Sequence, residues 1–197
     1  MSTQRRVILA SQSPQRQLLC RTLPIEFEAI PAHLDEKSIV DSDLVKRAEV
    51  IARAKVEEVA TQYPEAVVFG ADTYVIFNGQ ALEKPLDQAE ARQMLRQQSG
   101  QKLQEVSGFC YIDAANNINF STTVMTDFKF RELSAVEIET YVTTKPVTTW
   151  SAAFSPAYHE GMSFIAEVHG SFTGFTHGLP LEVLVPLLQK SQILTKV

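Results

Sequence analysis

The sequence predicts an α/β protein built on a mixed sheet, and three observations support that prediction. Short apolar runs typical of buried strands, such as Val7–Ala10 and Ala66–Gly70, are interspersed with helical patterns along the chain. The turn signal Asn78-Gly79 separates two short apolar segments and indicates an antiparallel hairpin in the middle of the chain. The length of 197 residues is sufficient for a substantial core and favours a single domain, 1–197.

In the first half of the chain, capping residues and apolar periodicity define the elements. Ser11–Pro14 is a predicted turn after the first strand, and Pro14 suits the first turn of a helix that runs to Leu23. A second strand is expected near Ile25–Ile30. Asp43–Ala60 is predicted as an amphipathic helix because its apolar residues form one stripe, composed of Leu44, Ala48, Ile51, Ala52 and Val59.

The second half alternates hairpins and helices in the same way. Ala66–Gly70 is predicted as a central strand that ends at its glycine, and the pattern Ser134-Ala-Val-Glu137 is a capping box that opens a helix. The remaining predicted elements are hairpin strands Tyr74–Phe77 and Gln80–Leu82, a helix capped by Asp87 that reaches Ser99 and ends at Gly100, long strands Val106–Asp113 and Ile118–Phe130 joined at Asn116-Asn117, a strand Ser163–Val168 and a helix Leu181–Gln189.

Composition and charge restrict the classes of partner. The net charge is −5 and no long run of Lys and Arg occurs, which argues against a nucleic-acid polymer as partner. Cys20 and Cys110 lie far apart without a CxxC pair, so two free thiols in a reducing compartment are expected. Met1–Arg6 is polar, and no apolar run is long enough for a membrane span. These features predict a cytoplasmic protein without membrane contact.

The turn Ser11–Arg16 is a candidate phosphate site. A turn from strand to helix presents free backbone N–H groups, and Ser11, Ser13 and Arg16 would add donors that match phosphate geometry. A serine-capped helix with a surface arginine gives the same pattern. The residues alone leave both interpretations open.

Lys55 and Asp72 are candidate charged groups at the edge of the core. Lys55 lies on the apolar stripe of its helix, where it either reaches back to solvent or meets an anion inside. Asp72 follows an apolar run, and ligands bind at the carboxyl ends of strands in such sheets. It could hold a metal or accept a proton from water, or it could simply cap its own turn.

Other chemical motifs are weak or missing. Lys84-Pro85 and Asp35-Glu36 lie in predicted loops and assign no function by themselves. The four histidines lack metal-ligand spacing, and the sequence contains no P-loop, no GxGxxG and no GxSxG motif.

Taken in order, these segments resemble the Maf family of nucleotide pyrophosphatases. The resemblance extends from about residue 7 to residue 189. The matching blocks are Leu9-Ala-Ser-Gln-Ser-Pro-Gln-Arg16, Asp35-Glu36, Ala54-Lys55, Gly70-Ala-Asp-Thr73, Lys84-Pro85, Glu90-Ala91, Met94-Leu95, Ser99-Gly100, Leu133-Ser134 with Glu137-Ile138, and Gly178-Leu-Pro-Leu181.

The resemblance implies a fold, an activity and a site. The fold is a mixed twisted sheet with flanking helices and two lobes around a central cleft, the Maf/ITPase-like architecture, in a homodimer. The activity is hydrolysis of the α–β phosphoanhydride of a pyrimidine or modified nucleoside triphosphate, assisted by a divalent cation, Mg²⁺ or Mn²⁺. The implied site residues are Asp72 as the group that activates water and contacts the metal, Glu36 as the second metal ligand, and Ser11, Ser13, Arg16, Lys55 and Lys84 as triphosphate ligands.

Several positions depart from the family pattern. Gln15, Thr73 and Tyr158 map to the positions that select the base; Tyr158 replaces the family's glutamine or glutamate, whereas Thr73 matches the pyrimidine branch. Leu103 replaces a histidine that the branch favouring 7-methylguanosine triphosphate also lacks. Gln15-Arg16 stands where the family has a pair of arginines, and Glu83-Lys84-Pro85 stands where it has Gly-Lys-Pro. Residues 152–161 replace a glycine-rich segment of the family.

Two alternative functions follow from these departures and from the family's history. One is a nucleotide-binding or regulatory relative with weakened catalysis, for which the altered Gln15 and the segment around Tyr158 are the motivation. The other is an inhibitor of septum formation in cell division that acts through protein contacts. The catalytic prediction is preferred because the residues nearest the chemistry are retained, namely Asp72, Lys55, Lys84 and Arg16.

Overall fold

The computed structural model describes residues 5–195, so part of the polar N-terminal stretch, residues 1–4, and residues 196–197 lie outside the described chain. The described chain forms one seven-stranded mixed sheet flanked by helices, which confirms the predicted class. The strands are β1 (Val7–Leu9), β2 (Glu28–Ala29), β3 (Val67–Phe77), β4 (Gln80–Leu82), β5 (Lys102–Asp113), β6 (Ile118–Phe130) and β7 (Ile165–Gly170). The helices are α1 (Pro14–Cys20), α2 (Leu44–Gln62), α3 (Gln88–Gln98), α4 (Ala135–Thr144), α5 (His159–Met162), α6 (Phe172–His177) and α7 (Leu181–Lys190).

The strand order explains why the sheet is mixed. It is β2-β1-β3-β5-β6-β7, with β4 paired to β3 as a hairpin. The pairs of β1 with β2 and with β3 are parallel, and all later pairs are antiparallel. In the turn between β3 and β4, Asn78 and Gly79 have φ of 50° and 75°, the left-handed backbone that tight hairpin turns require. The predicted hairpin is therefore confirmed.

The predicted helix starts are confirmed by their caps. The Asp43 carboxylate accepts hydrogen bonds from the backbone N–H groups of Val45 and Lys46, and that of Asp87 accepts one from Glu90. Ser134 and the first turn of α4 form the complete capping box. Each cap satisfies backbone donors that the first helical turn leaves without partners.

Several predicted boundaries are wrong. The predicted strands 66–70 and 74–77 are one strand, β3, because continuous pairing with β5 carries it through the middle. β5 begins at Lys102, four residues before the predicted start, β2 keeps only two residues, and β7 is Ile165–Gly170. Helix α1 ends at Cys20 and not at Leu23, because tight backbone turns between 19 and 23 and then Pro24 end the helical pattern.

Two large hydrophobic clusters occupy opposite ends of the long strands. One contains Phe69, Ala71 and Phe109 with residues of α1 and α7. The other contains Val75 and Phe128 with residues of α3, α4 and α6. Polar residues of β3 and β5 lie between the two clusters. Among residues 5–195, no helix has the length and apolar character needed to cross a membrane.

Candidate active site

The candidate site lies where β1 stops and β3 continues. The last paired residue of β1 is Leu9, opposite Phe69 of β3. Asp72 therefore lies in the middle of β3, and its predicted position at the carboxyl end of that strand is wrong. The strand that ends beside Asp72 is β1. Since successive residues of a strand point to opposite faces, Asp72 faces α2 and Thr73 faces α1 and α6. The hydrogen bonds of the two side chains confirm that division.

On the α2 face, Lys55 joins two carboxylates. Its Nζ lies 2.7 Å from Asp72 Oδ1 and 2.9 Å from Glu36 Oε2. The side chains of Lys55 and Asp72 are each only 13% exposed, whereas that of Glu36 is about half exposed. Of the two interpretations left open for Lys55, the inward cation is the one that the structure has.

Two glycines allow α2 to lie close enough for this contact. Gly70 and Gly108 occupy the α2 face of β3 and β5. A Cβ added at Gly108 would lie 2.0 Å from the carbonyl oxygen of Ala48, and one at Gly70 would lie 3.0 Å from Val56 Cγ2. Backbone-to-backbone packing of the helix on the sheet therefore sets the distance between α2 and β3.

On the other face, Arg16 points inward and donates to three acceptors. These are the backbone oxygen of Gly178 at 3.0 Å, Thr73 Oγ1 at 3.1 Å and Ser11 Oγ at 3.2 Å. Burial lowers the pKa of the Arg16 guanidinium, and the Asp72, Glu105 and Glu36 carboxylates oppose that shift. The guanidinium stays charged at any working pH. Its three internal hydrogen bonds show that Arg16 is not the surface arginine considered from the sequence.

Gly178 holds Arg16 and Thr73 together from the end of α6. Its φ is 66°, and a Cβ there would lie 2.7 Å from Thr73 Oγ1 and 3.2 Å from Arg16 Nη2. Only a residue without a side chain fits this position at the observed spacing. The block that contains Gly178 was part of the family resemblance, but its contact with Arg16 was not predicted.

A buried acid behind Thr73 was missed from the sequence. Thr73 Oγ1 lies 2.9 Å from Ser107 Oγ, and the Ser107 hydroxyl donates to Glu105 Oε1 at 2.6 Å. Glu105 is 3% exposed, and burial raises its pKa to about 7. The alternation of Leu103, Glu105 and Ser107 on one face of a longer β5 would have revealed it.

The raised pKa of Glu105 predicts a stability that depends on pH. A carboxyl group whose folded pKa lies near 7 and whose unfolded pKa is 4.5 stabilises the fold below 4.5, and this contribution is lost as pH rises through 7. We expect the free energy of unfolding of Glu105→Gln, measured relative to wild type, to be about 2.5 kcal/mol higher at pH 8 than at pH 5. Urea denaturation at both pH values measures this difference. Asp127→Asn, an exposed carboxylate on β6, is the control, and a Glu105→Gln difference independent of pH would contradict the prediction.

The residues predicted to select the base meet across the chain. Gln15 Nε2 donates to the Tyr158 hydroxyl at 3.5 Å, and the Ser13 hydroxyl donates to Gln15 Oε1 at 3.0 Å. The Tyr158 ring is 40% exposed and lies 5.3 Å from that of Trp150, at 31°. The structure therefore brings Gln15 and Tyr158 into contact. Thr73 is hydrogen-bonded to neither of them, and its link to Gln15 is the hydrogen bond from Arg16, the next residue of α1.

Lys84 is the predicted residue that the structure does not join to the others. It is exposed on the loop between β4 and α3 and makes no hydrogen bond or ion pair with residues 5–195. The preceding residue is held in place, because Glu83 pairs with Arg47 and its carbonyl oxygen accepts from the backbone of Ala152. Lys84 remains a prediction.

Glu36 and Asp72 could together hold a divalent cation. Within residues 5–195 no group of three or more His, Cys, Asp or Glu side chains converges, so a cage made only of protein ligands is not formed. The two carboxylates instead share the ammonium group of Lys55. Mg²⁺ is usually bound by one or two carboxylates together with substrate phosphates, and these two residues fit that mode.

Comparison with known proteins identifies relatives over nearly the whole chain. The family model described as "Maf-like protein" matches residues 6–191. A dTTP/UTP pyrophosphatase of Syntrophus aciditrophicus is 34% identical over 190 residues, which cover 96% of this chain and 92% of the relative. One of Pyrococcus furiosus is 32% identical over 194 residues, covering 98% and 99%. Among solved structures, the Staphylococcus aureus Ham1 protein aligns over 95% of this chain and 100% of its own, with a TM-score of 0.49 and 11% identity, too distant to carry an argument.

Proposed function

This chain belongs to the Maf-like protein family, and on that premise we propose that it is a nucleoside triphosphate pyrophosphatase. The reaction is hydrolysis of the α–β phosphoanhydride, which yields the nucleoside monophosphate and pyrophosphate. The observation that carries the proposal is the ion pair of Lys55 with Asp72 and Glu36. Arg16 points inward on the other face of β3, close enough for the Asp72 and Glu36 carboxylates to oppose the lowering of its pKa. Relatives named dTTP/UTP pyrophosphatase support a pyrimidine substrate.

Asp72 is the group we propose to activate the attacking water. Its carboxylate is largely enclosed and held on a central strand, which fixes its direction. In the free protein Lys55 pairs with it at 2.7 Å. A bound phosphate would compete for the same ammonium group and leave an oxygen of Asp72 free to accept the proton of water. The ion pair thus keeps both groups in place until the substrate arrives.

The cations of the site would bind the triphosphate. Phosphoryl transfer is catalysed mainly by positioning and by neutralising charge, so a few convergent cations suffice in an acidic protein. Arg16 presents a planar fork of N–H donors, and Ser11 and Ser13 lie on the same turn. Lys84 would join them from its exposed loop as a further phosphate ligand.

We further propose that Glu36 and Asp72 hold Mg²⁺ or Mn²⁺ together with the substrate. Such an ion, when bound, neutralises charge on the phosphate oxygens. Lys55 touches both carboxylates in the free protein and offsets one of their two negative charges. A shift of its ammonium group towards the phosphate would free both side chains.

Base selection is assigned to Gln15, Thr73 and Tyr158. Tyr158 is 40% exposed and its hydroxyl lies near Gln15, so it can stack on a base or donate one hydrogen bond. It has no carboxylate or amide with which to read a base edge. We therefore expect selection at this position to depend on stacking and shape.

The homodimer and the cytoplasmic location likewise remain proposals.

The proposed activity is tested by product analysis with a panel of nucleotides. Purified protein with Mg²⁺ or Mn²⁺ is incubated with dTTP, UTP, dCTP, ATP, GTP and 7-methyl-GTP, and products are separated by ion-exchange chromatography. We expect monophosphate and pyrophosphate in equal amounts, with dTTP or UTP preferred, and no product in EDTA. Diphosphate with orthophosphate would exclude this reaction, and tight binding without turnover would favour a regulatory nucleotide-binding relative.

A further inference from the structure

Glu105 is a buried acid with incomplete hydrogen bonding. Oε1 accepts the Ser107 hydroxyl, but Oε2 has no hydrogen-bond partner among residues 5–195. An enclosed carboxylate with one donor is poorly stabilised as an anion. The proton occupancy of Glu105 must therefore respond to any change in nearby charge.

Arg16 is the nearby cation that stabilises the anionic form. On the neighbouring strands, Val75 and Thr126 stand opposite Glu105, and neither titrates. Glu182 of α7 opposes the negative charge, and His177 of α6 pairs with the adjacent Thr176 hydroxyl. The hydrogen bond from Ser107 lowers the pKa of Glu105 most, and the positive charge of Arg16 lowers it further. When an anion neutralises Arg16, the attraction of this cation, which supports a charged Glu105, is removed.

A chain of hydroxyl groups connects the two residues. With Glu105 ionised, Ser107 donates to Glu105, Thr73 donates to Ser107, and Arg16 donates to Thr73. With Glu105 protonated at Oε1, each hydroxyl reverses: Ser107 donates to Thr73, whose own proton turns to the Gly178 oxygen at 3.3 Å. That oxygen already accepts from Arg16 Nε, so the protonation state of Glu105 affects two of the three contacts that orient the guanidinium, those with Thr73 and Gly178.

We propose that Glu105 is a positioning residue for Arg16 and takes up one proton when the triphosphate of the substrate binds beside Arg16. The proton comes from solvent and adds to the carboxylate, and no other bond forms or breaks. The inference rests on the proposed function, because it takes a nucleoside triphosphate as the anion. It removes one negative charge from the site as the substrate brings several, which strengthens anion binding at Arg16.

Calorimetry measures this proton uptake directly. The probe is α,β-methylene-UTP, which cannot be cleaved at the α–β position. It is titrated into the protein in the presence of Mg²⁺, at pH 7.5, in buffers of different ionisation enthalpy. For each analogue molecule bound, the wild-type protein should take up more protons than Glu105→Gln, by as much as about one. The affinity of wild type should also fall more steeply with pH above 7, by as much as about tenfold per pH unit relative to that variant.

Two further variants separate this role from a purely structural one. Asp127→Asn removes an exposed carboxylate of β6 and should leave the proton uptake at its wild-type value. Ser107→Ala removes the one donor to Glu105, so the range of pH in which uptake occurs should move upward. This second variant also keeps the inference testable if Glu105→Gln does not fold.

The outcomes distinguish the inference from the proposed function. Equal proton uptake by wild type and Glu105→Gln, in a protein that hydrolyses UTP, overturns the inference alone. An unchanged pH range in Ser107→Ala also counts against it. Absence of both analogue binding and triphosphate turnover overturns the proposed function and this inference together.

Discussion

Replacement of Asp72 by asparagine is expected to lower kcat/KM for pyrophosphate release by about 10³-fold or more. A positioned general base contributes about 10²- to 10⁴-fold, and Asp72 is also a proposed metal ligand. Asparagine has the same size and keeps an oxygen that can accept from Lys55, so nucleotide binding should survive. Steady-state assays with the preferred triphosphate and calorimetry with its non-hydrolysable analogue separate the two effects.

The matched control for this variant is Asp127→Asn, which makes the same chemical change on the exposed part of β6. Its activity should equal that of wild type. The free energy of unfolding of Asp72→Asn should stay within about 1 kcal/mol of wild type, because the amide oxygen still accepts from Lys55 and the ammonium group keeps its ion pair with Glu36. Retention of more than a tenth of the activity by Asp72→Asn would remove Asp72 from the role of base.

Gly108→Ala is expected to be the most destabilising of the small substitutions considered, at about 3 kcal/mol or more. The new methyl group would lie 2.0 Å from the Ala48 oxygen and 2.5 Å from the Glu49 nitrogen. Both are backbone atoms of α2, so no side-chain rotation relieves the overlap, and the cost falls at or above the upper end for overpacking. Urea denaturation measures the loss.

The same substitution should impair activity in whatever fraction remains folded. Displacement of α2 from the sheet would lengthen the 2.7 Å contact between Lys55 and Asp72. Gly79→Ala is the control, because apart from its chain neighbours no heavy atom of residues 5–195 lies within 4 Å of a Cβ there. Only its φ of 75° is unfavourable, at about 1–2 kcal/mol. A Gly108→Ala protein as stable as Gly79→Ala would show that α2 does not pack as described.

Elements with local signals were predictable from the sequence. Asp43, Asp87 and Ser134 cap the helices that the periodicity indicated, and Asn78-Gly79 forms the expected turn. Strand lengths were not predictable, because they depend on partners that are distant in sequence. β3 passes through Gly70–Thr73 since β5 pairs with it along nine positions, although the local composition suggested a break.

The site shows the same division. The apolar stripe of α2 and the turn after β1 identified Lys55 and Arg16 as candidates, but the sequence left open whether either side chain points inward. Glu105 was missed because the predicted start of β5, Val106, left out the first four residues of the strand, and Glu105 is one of them. The contact between Gln15 and Tyr158 spans 143 positions in the chain, and only the family resemblance linked them.

Asp72 and Thr73 are neighbours in the chain but serve opposite sides of the sheet. The proposed base and the residue proposed to border base selection therefore share one stretch of β3, while their surroundings are built from different helices. Substitutions among the side chains of α1 and α6 can alter which nucleotide is accepted without disturbing the contacts that α2 makes. One short stretch of backbone thus lets substrate preference diverge among relatives while the bond-breaking chemistry stays the same.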